Sequence, residues 1–206
     1  MGSPVATFLL VGEQSWAPLM VESINRVTGY PVVQLSDLHT PAVDGVDEVV
    51  RIPMRVPLMT YRMKHLALCP YEQWVTFDTD IMVKKQVSDV WERKFDVALT
   101  RRPRGKCLDP NGVDIAPNMP FNTGVMFSRD KAFWCECYDW LKTQPADRQD
   151  WWGDQLSVAE IANQHRYHVL VLPSEEFNWT PKDRAEVSDA RIWHYKGERK
   201  EWMLEH

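Results

Sequence analysis

The chain has no run of about 18 consecutive apolar residues, the length that a membrane-spanning helix needs. Its opening residues, MGSPVATFLLVGEQ, lack the basic segment and long apolar stretch of a secretory leader. A cytoplasmic protein with no membrane partner is the resulting expectation. Cysteine is also scarce: Cys69, Cys107, Cys135 and Cys137 form neither a disulfide framework nor paired C-x-x-C hooks, and reduced thiols without function are expected. Without a leader, the glycosylation pattern Asn178-Trp179-Thr180 has no enzyme to meet. No repeat, low-complexity tract or Gly/Ser linker marks a boundary, so one domain over residues 1–203 is expected. Leu204, Glu205 and His206 read as the start of an expression tag.

What is present is an ordinary globular balance, 44% hydrophobic and 26% charged over 206 residues, which excludes disordered and fibrous classes. The net charge of -5 argues against a protein that binds nucleic acid over its whole surface. Charge is unevenly spread, however, because residues 84–106 carry eight basic and three acidic side chains. The cluster Arg101, Arg102, Arg104 and Lys106 is either a solvated loop or the contact for an anionic ligand.

Apolar periodicity supplies the fold class. Residues 6–11 form a continuous apolar run of the kind buried on both faces of a parallel sheet. In residues 16–27, Leu19, Met20, Ser23, Ile24 and Val27 fall on one side at helical spacing, and Gly29 suits the end of that helix. Residues 31–35, 46–52, 74–83, 95–100, 121–128, 168–172 and 191–195 read as further strands, and residues 57–68, 131–142 and 155–162 as helices. The helix at 131–142 is expected to turn Trp134, Cys137, Tyr138 and Leu141 inward. Strands alternating with helices predict an α/β fold with a mainly parallel central sheet, whose ligands bind beyond the carboxyl ends of the strands.

Two aspartates, Asp78 and Asp80, interrupt the apolar run at 74–83, where an unpaired carboxylate is too costly to bury. At i and i+2 they share a strand face or converge around its end, which suits two oxygen ligands on one hard divalent cation. The alternative is that they cap a loop or pair with Arg62. His194 is either a satisfied structural residue or, with Gly197 and the cations Lys196, Arg199 and Lys200, part of a site for a phosphate-bearing ligand. Two carboxylates, an imidazole and diphosphate oxygens would together favour Mn²⁺, with Mg²⁺ as the second choice. Trp151 and Trp152 read first as core residues and alternatively as a stacking platform for an acceptor.

In order along the chain, these pieces make a resemblance. Met59-Thr60-Tyr61-Arg62 leads into a strand ending in Asp78-Thr79-Asp80; Phe121-Asn122-Thr123-Gly124-Val125, Asp154-Gln155 and His194-Tyr195-Lys196-Gly197-Glu198-Arg199-Lys200-Glu201-Trp202 follow. The set resembles the retaining glycosyltransferase family 8, which includes bacterial lipopolysaccharide galactosyltransferases and glycogenin. Glu201 stands where that family usually has proline. The resemblance implies a single GT-A (Rossmann-like) domain with a mainly parallel central sheet flanked by helices. It also implies a metal-dependent hexosyltransferase that uses a nucleoside diphosphate sugar, UDP by family default.

Residue by residue, the resemblance assigns Asp78, Asp80 and His194 to the metal, Lys200 and the Gly197 backbone to the diphosphate, and Arg62 to the donor sugar or its phosphate. Asn122, Thr123 and Asp154 would meet the sugar, and Gln155 would lie at the anomeric carbon opposite the leaving group. Trp16 would stack on the base; its alternative is the first core residue of a helix. The acceptor is left open: a glycan, a small molecule or a modified DNA base, with Trp151, Trp152, Arg101, Arg102, Arg104 and Lys106 the candidate contacts. Two competing readings are a sugar-1-phosphate nucleotidyltransferase, which residues 11–15 disfavour because they form no glycine-rich phosphate loop, and a non-catalytic domain of the same fold.

Overall fold

The apolar run near the start of the chain becomes β1 (Val5–Leu10), with α1 (Ala17–Thr28) and β2 (Val32–Ser36) after it. These coordinates are a computed structural model that describes residues 2–103, 105–108 and 112–205. Next come β3 (Glu48–Arg51), α2 (Leu58–Leu68), β4 (Trp74–Phe77), β5 (Ile81–Val83), β6 (Val97–Arg101) and β7 (Phe121–Ser128). The remainder is α3 (Lys131–Lys142), α4 (Gly153–Asn163), β8 (Val169–Leu172), α5 (Ser174–Phe177), β9 (Ile192–His194) and a 3₁₀ segment, Gly197–Glu205. Gly29 ends α1 with φ 67, the left-handed conformation that its lack of a Cβ makes cheap.

Among the described residues the central sheet has seven strands in the order β3-β2-β1-β4-β7-β6-β8. All neighbours pair in parallel except β7, which runs antiparallel to both β4 and β6. The fold is therefore α/β, with a mostly parallel sheet flanked by helices. Alternation along β1 fills both faces, as the apolar run requires. Ala6, Phe8 and Leu10 pack with Met20, Val21 and Ile24 of α1, while Val5 packs with residues of α2, α3 and α4. In α3 the buried stripe is Phe133, Trp134, Cys137 and Leu141, and Tyr138 is only partly buried. The four cysteines carry no disulfide. Among the described residues no helix is long and apolar enough to cross a membrane.

The structure corrects two expectations about strands. Residues 74–83 are two strands in two sheets: β4 lies in the central sheet, and β5 pairs antiparallel with β9 in a separate two-stranded sheet. The break falls at Asp78-Thr79-Asp80, where the chain turns instead of carrying two carboxylates along a buried ladder. The late strand at 191–195 accordingly belongs to the small sheet, and its pairing sets Ile81 against His194. The helix expected to start at Gln155 starts two residues earlier, so Asp154 as well as Gln155 lies within the first turn of α4.

Candidate metal centre

From β1 the chain moves to β2 and β3 on one side and then crosses to β4 on the other, so β1 and β4 flank the point where strand order reverses. Ligands of open α/β sheets bind at such a point, beyond the carboxyl ends of the strands. The loop after β1 and the Asp78-Thr79-Asp80 turn after β4 meet there. Gln14 ties them together: its Oε1 accepts a hydrogen bond from Thr79 and one of 3.0 Å from Trp16 Nε1.

Asp78, Asp80 and His194 each offer one ligand atom, and these atoms all lie within 4.8 Å of one another. His194 Nε2 is 3.0 Å from Asp80 Oδ1 and 3.6 Å from Asp78 Oδ2. The opposite ring nitrogen, Nδ1, is 2.6 Å from Asn178 Oδ1. The polarity of that contact follows from one backbone group. Gly124 N–H can only donate, and it donates to Asn122 Oδ1 at 3.0 Å. The same oxygen accepts from Asn178 Nδ2 at 2.6 Å, and Nδ2 also reaches Thr100 Oγ1 at 2.9 Å. Asn178 therefore turns its carbonyl oxygen to the histidine, and Nδ1 carries a proton. Nε2 is left facing two carboxylates, where its lone pair is tolerable only with a proton or a cation between. A buried imidazole oriented through its far nitrogen, beside two carboxylate oxygens, could hold a divalent cation, and this oxygen and nitrogen donor set fits Mn²⁺ or Mg²⁺.

Two further residues shape this centre. A Cβ on Gly124 would stand 2.4 Å from His194 Cε1, so only glycine lets the imidazole lie against β7. Lys200 Nζ is 3.4 Å from Asp80 Oδ2 and sits 5.3 Å from the centre of the Trp16 ring. Burial acts to raise the Asp80 carboxyl, but His194 and Lys200 outweigh it and hold the group down at about 2. Burial also pushes the partly exposed Lys196 ammonium down to about 8, against the pull of Asp78 and Asp80.

Arg62 links this centre to α4. Its Nη2 pairs with Asp78 Oδ1 at 2.7 Å and donates to the Thr123 carbonyl at 2.7 Å, and its Nη1 pairs with Asp154 Oδ2 at 3.0 Å. Thr123 Oγ1 donates to the same Asp154 oxygen at 2.7 Å. Burial works against the Arg62 charge, yet Asp78 and Asp154 raise the guanidinium above its ordinary value. Beside Asp154, Gln155 Oε1 accepts a 2.8 Å hydrogen bond from Arg102 Nη1. Trp152 precedes this helix with φ 74, rare for a bulky residue, and a Cβ on Gly153 would come 2.5 Å from the Arg148 carbonyl.

No protein-family model matches the chain, and no curated protein matches its sequence significantly.

The structure thus brings together Asp78, Asp80, His194, Lys200, Trp16, Arg62, Asn122, Thr123, Asp154 and Gln155. It changes what several of them do. Arg62, expected to face a donor, is 7% exposed and spends its guanidinium on two carboxylates and a carbonyl. Asp154, 2% exposed, is likewise engaged by Arg62 and Thr123. Trp16 shows both of its expected characters, packing against the core at the start of α1 while presenting ring to Lys200. Gly197 adopts φ 63 at the head of the 3₁₀ segment. The first reading of the tryptophan pair is overturned, because Trp151 is 63% exposed and Trp152 only partly buried. Arg101 and Arg102 line an open groove of about 570 Å³ with Asp114, Met119, Phe121 and other residues, and Lys106 is exposed nearby in sequence. Arg104 lies outside the described residues. Asn178, seen in the sequence only as part of a glycosylation pattern, is fully buried and is the residue that orients His194. No local signal marks it, since its side-chain partners His194, Asn122 and Thr100 stand 16, 56 and 78 positions away.

Proposed function

We propose that the protein is a metal-dependent retaining glycosyltransferase of the GT-A fold, resembling family 8, which moves a hexose from a nucleoside diphosphate sugar to an acceptor hydroxyl. The observation that carries this reading is the convergence of Asp78, Asp80 and an Asn178-oriented His194 at the β1/β4 switch point. A divalent cation held there would neutralise the charge that develops on the leaving diphosphate. Lys200 adds a cation at the same place, and the Trp16 ring beside it offers a face for the base. UDP is the nucleoside diphosphate that the family resemblance suggests.

The remaining residues divide the work around the sugar. Arg62 holds Asp78 and Asp154 in fixed positions, so the metal end and the α4 end keep one spacing. Asn122, partly exposed on the strand between them, would meet a sugar hydroxyl, while Thr123, expected to do the same, is buried and spends its hydroxyl on Asp154. The Gln155 amide has a carbonyl dipole that stabilises positive charge at the anomeric carbon but is a poor nucleophile, which favours substitution on one face with retention. In that step the acceptor oxygen bonds to the anomeric carbon, the bond to diphosphate breaks, and the acceptor proton passes to the departing phosphate oxygen.

A thermal-shift titration with UDP and Mn²⁺ tests the reading. The expected result is a rise in melting temperature that needs both ligands and disappears in Asp80→Ala. A rise with UDP that is indifferent to Mn²⁺, or no rise with any nucleoside diphosphate, overturns it.

A further inference from the structure

Beyond Gln155 the site opens into the groove at the end of β6, and that groove is chemically unlike the centre it adjoins. Arg102 belongs to both. One nitrogen of its guanidinium donates to Gln155 Oε1 at 2.8 Å, and the side chain also lines the groove with Arg101. A guanidinium has five N–H donors in a fixed fork, so this single contact leaves capacity for a second acceptor of hydrogen bonds. Next to the groove, on the Gln155 side of Arg102, the Trp152 ring lies 5.9 Å from the Arg102 guanidinium and packs edge-on to exposed Trp151 at 5.8 Å. Two adjacent arginines, apolar walls at Pro117, Met119 and Phe121, and an exposed indole fit a molecule with an apolar or sugar face and one compact dianion.

The groove also limits the size of that anion. Asp114 lines it, and its Oδ1 is fixed by the Cys107 and Ala116 backbone N–H groups, which favour its ionised form. Asp147 and Asp150 are exposed close to Trp151 in the chain. A strand of successive phosphates would carry more negative charge past Asp114 than two arginines offset, whereas a single phosphate dianion brings no more than they can pair. Resting on the glycosyltransferase reading, we infer that the acceptor is a small phosphate-bearing molecule with a free hydroxyl, held by Arg101 and Arg102 so that this hydroxyl faces Gln155. Arg102 then does two things: it holds the Gln155 carbonyl in place and it reads the acceptor's charge.

Calorimetry on the full chain, with UDP and Mn²⁺ already present, tests this with inorganic phosphate, glucose 6-phosphate and glucose as probes. The expected result is binding of the two phosphate probes but not of glucose, weakened roughly tenfold in Arg101→Gln and in Arg102→Gln. Arg102→Lys should recover part of the loss, and Lys131→Gln, in a separate cleft, should change nothing. Circular dichroism confirms folding, and exposed Arg101 carries the test if the Arg102 variants fail to fold. Binding of neither phosphate probe, or equal binding of glucose, overturns the proposal. So does binding of the phosphate probes only in a parallel titration that leaves UDP out, which would assign the arginines to the donor. Tighter, steeply salt-dependent binding of a 5′-phosphorylated oligothymidylate would replace the small acceptor with a nucleic acid. If phosphate binds through the arginines while UDP and Mn²⁺ give no thermal shift, the donor reading fails and the anion site remains.

Discussion

Arg62, Asp80, Asp154 and His194 are each under 9% exposed and each meets at least one charged partner, whereas Arg101, Lys106 and Trp151, on the groove side, stand open to solvent. Buried charge survives only when it is paired, so the geometry of the first group is complete before any ligand arrives. Exposed charge costs little unpaired, so the second group can wait for a ligand to set its arrangement. The contrast sets a preformed, charge-paired cluster at the β1/β4 end against an open, adaptable loop end, and the proposed catalysis and acceptor recognition would divide along that line.

The sharpest way to break this contrast is to remove a buried partner. Arg62→Met strands Asp78 and Asp154, and urea unfolding should show a loss of about 3–5 kcal/mol. A loss no larger than that of a surface substitution would mean that the buried end is not fixed by its pairing. Asn178→Ala leaves the metal ligands in place but frees the His194 ring, so Mn²⁺ affinity should fall roughly 10–100-fold in a titration while UDP alone is bound as before. The acid limb of stability sharpens the comparison further. Asp80 is held at about 2 against an ordinary 3.8, so its contribution is present above pH 3.8 and disappears as pH falls through 2. In chelator-treated protein this is worth about 2 kcal/mol, and Asp80→Asn should flatten the slope of stability between those two values. The smallest effect belongs to the open end: Trp151→Ala should change unfolding free energy by less than about 0.5 kcal/mol. A larger loss would show that this indole is structural after all.

Much of the fold is legible in the chain because periodicity is a local property. The boundaries of β7 and α3 coincide with the apolar patterns at 121–128 and 131–142. The Asp78-Thr79-Asp80 interruption marks a ligand candidate for an equally local reason, the cost of carboxylates in an apolar run. The same pattern misleads at 74–83, since hydrophobicity continues across a turn that carries β5 into another sheet. Trp151 and Trp152 mislead likewise, because composition does not reveal that the turn before α4 faces solvent. Asn178 and the glycine requirement at 124 are invisible locally, as each exists only through a partner brought from another element.

The sequence by itself determined the alternation of strands and helices, the two aspartates as the place where buried apolar structure had to stop, and the excess of cations at 101–106. Those are properties of residues and their near neighbours. Only the tertiary structure decided that His194 comes from a small second sheet to face those aspartates, that Asn178 fixes which ring nitrogen it offers, that Arg62 turns inward to bind Asp78 and Asp154, and that Arg102 touches Gln155. Each of these depends on distances between residues on different elements, sixteen or more positions apart, which are set by how the sheets and helices pack and not by any local preference of the chain.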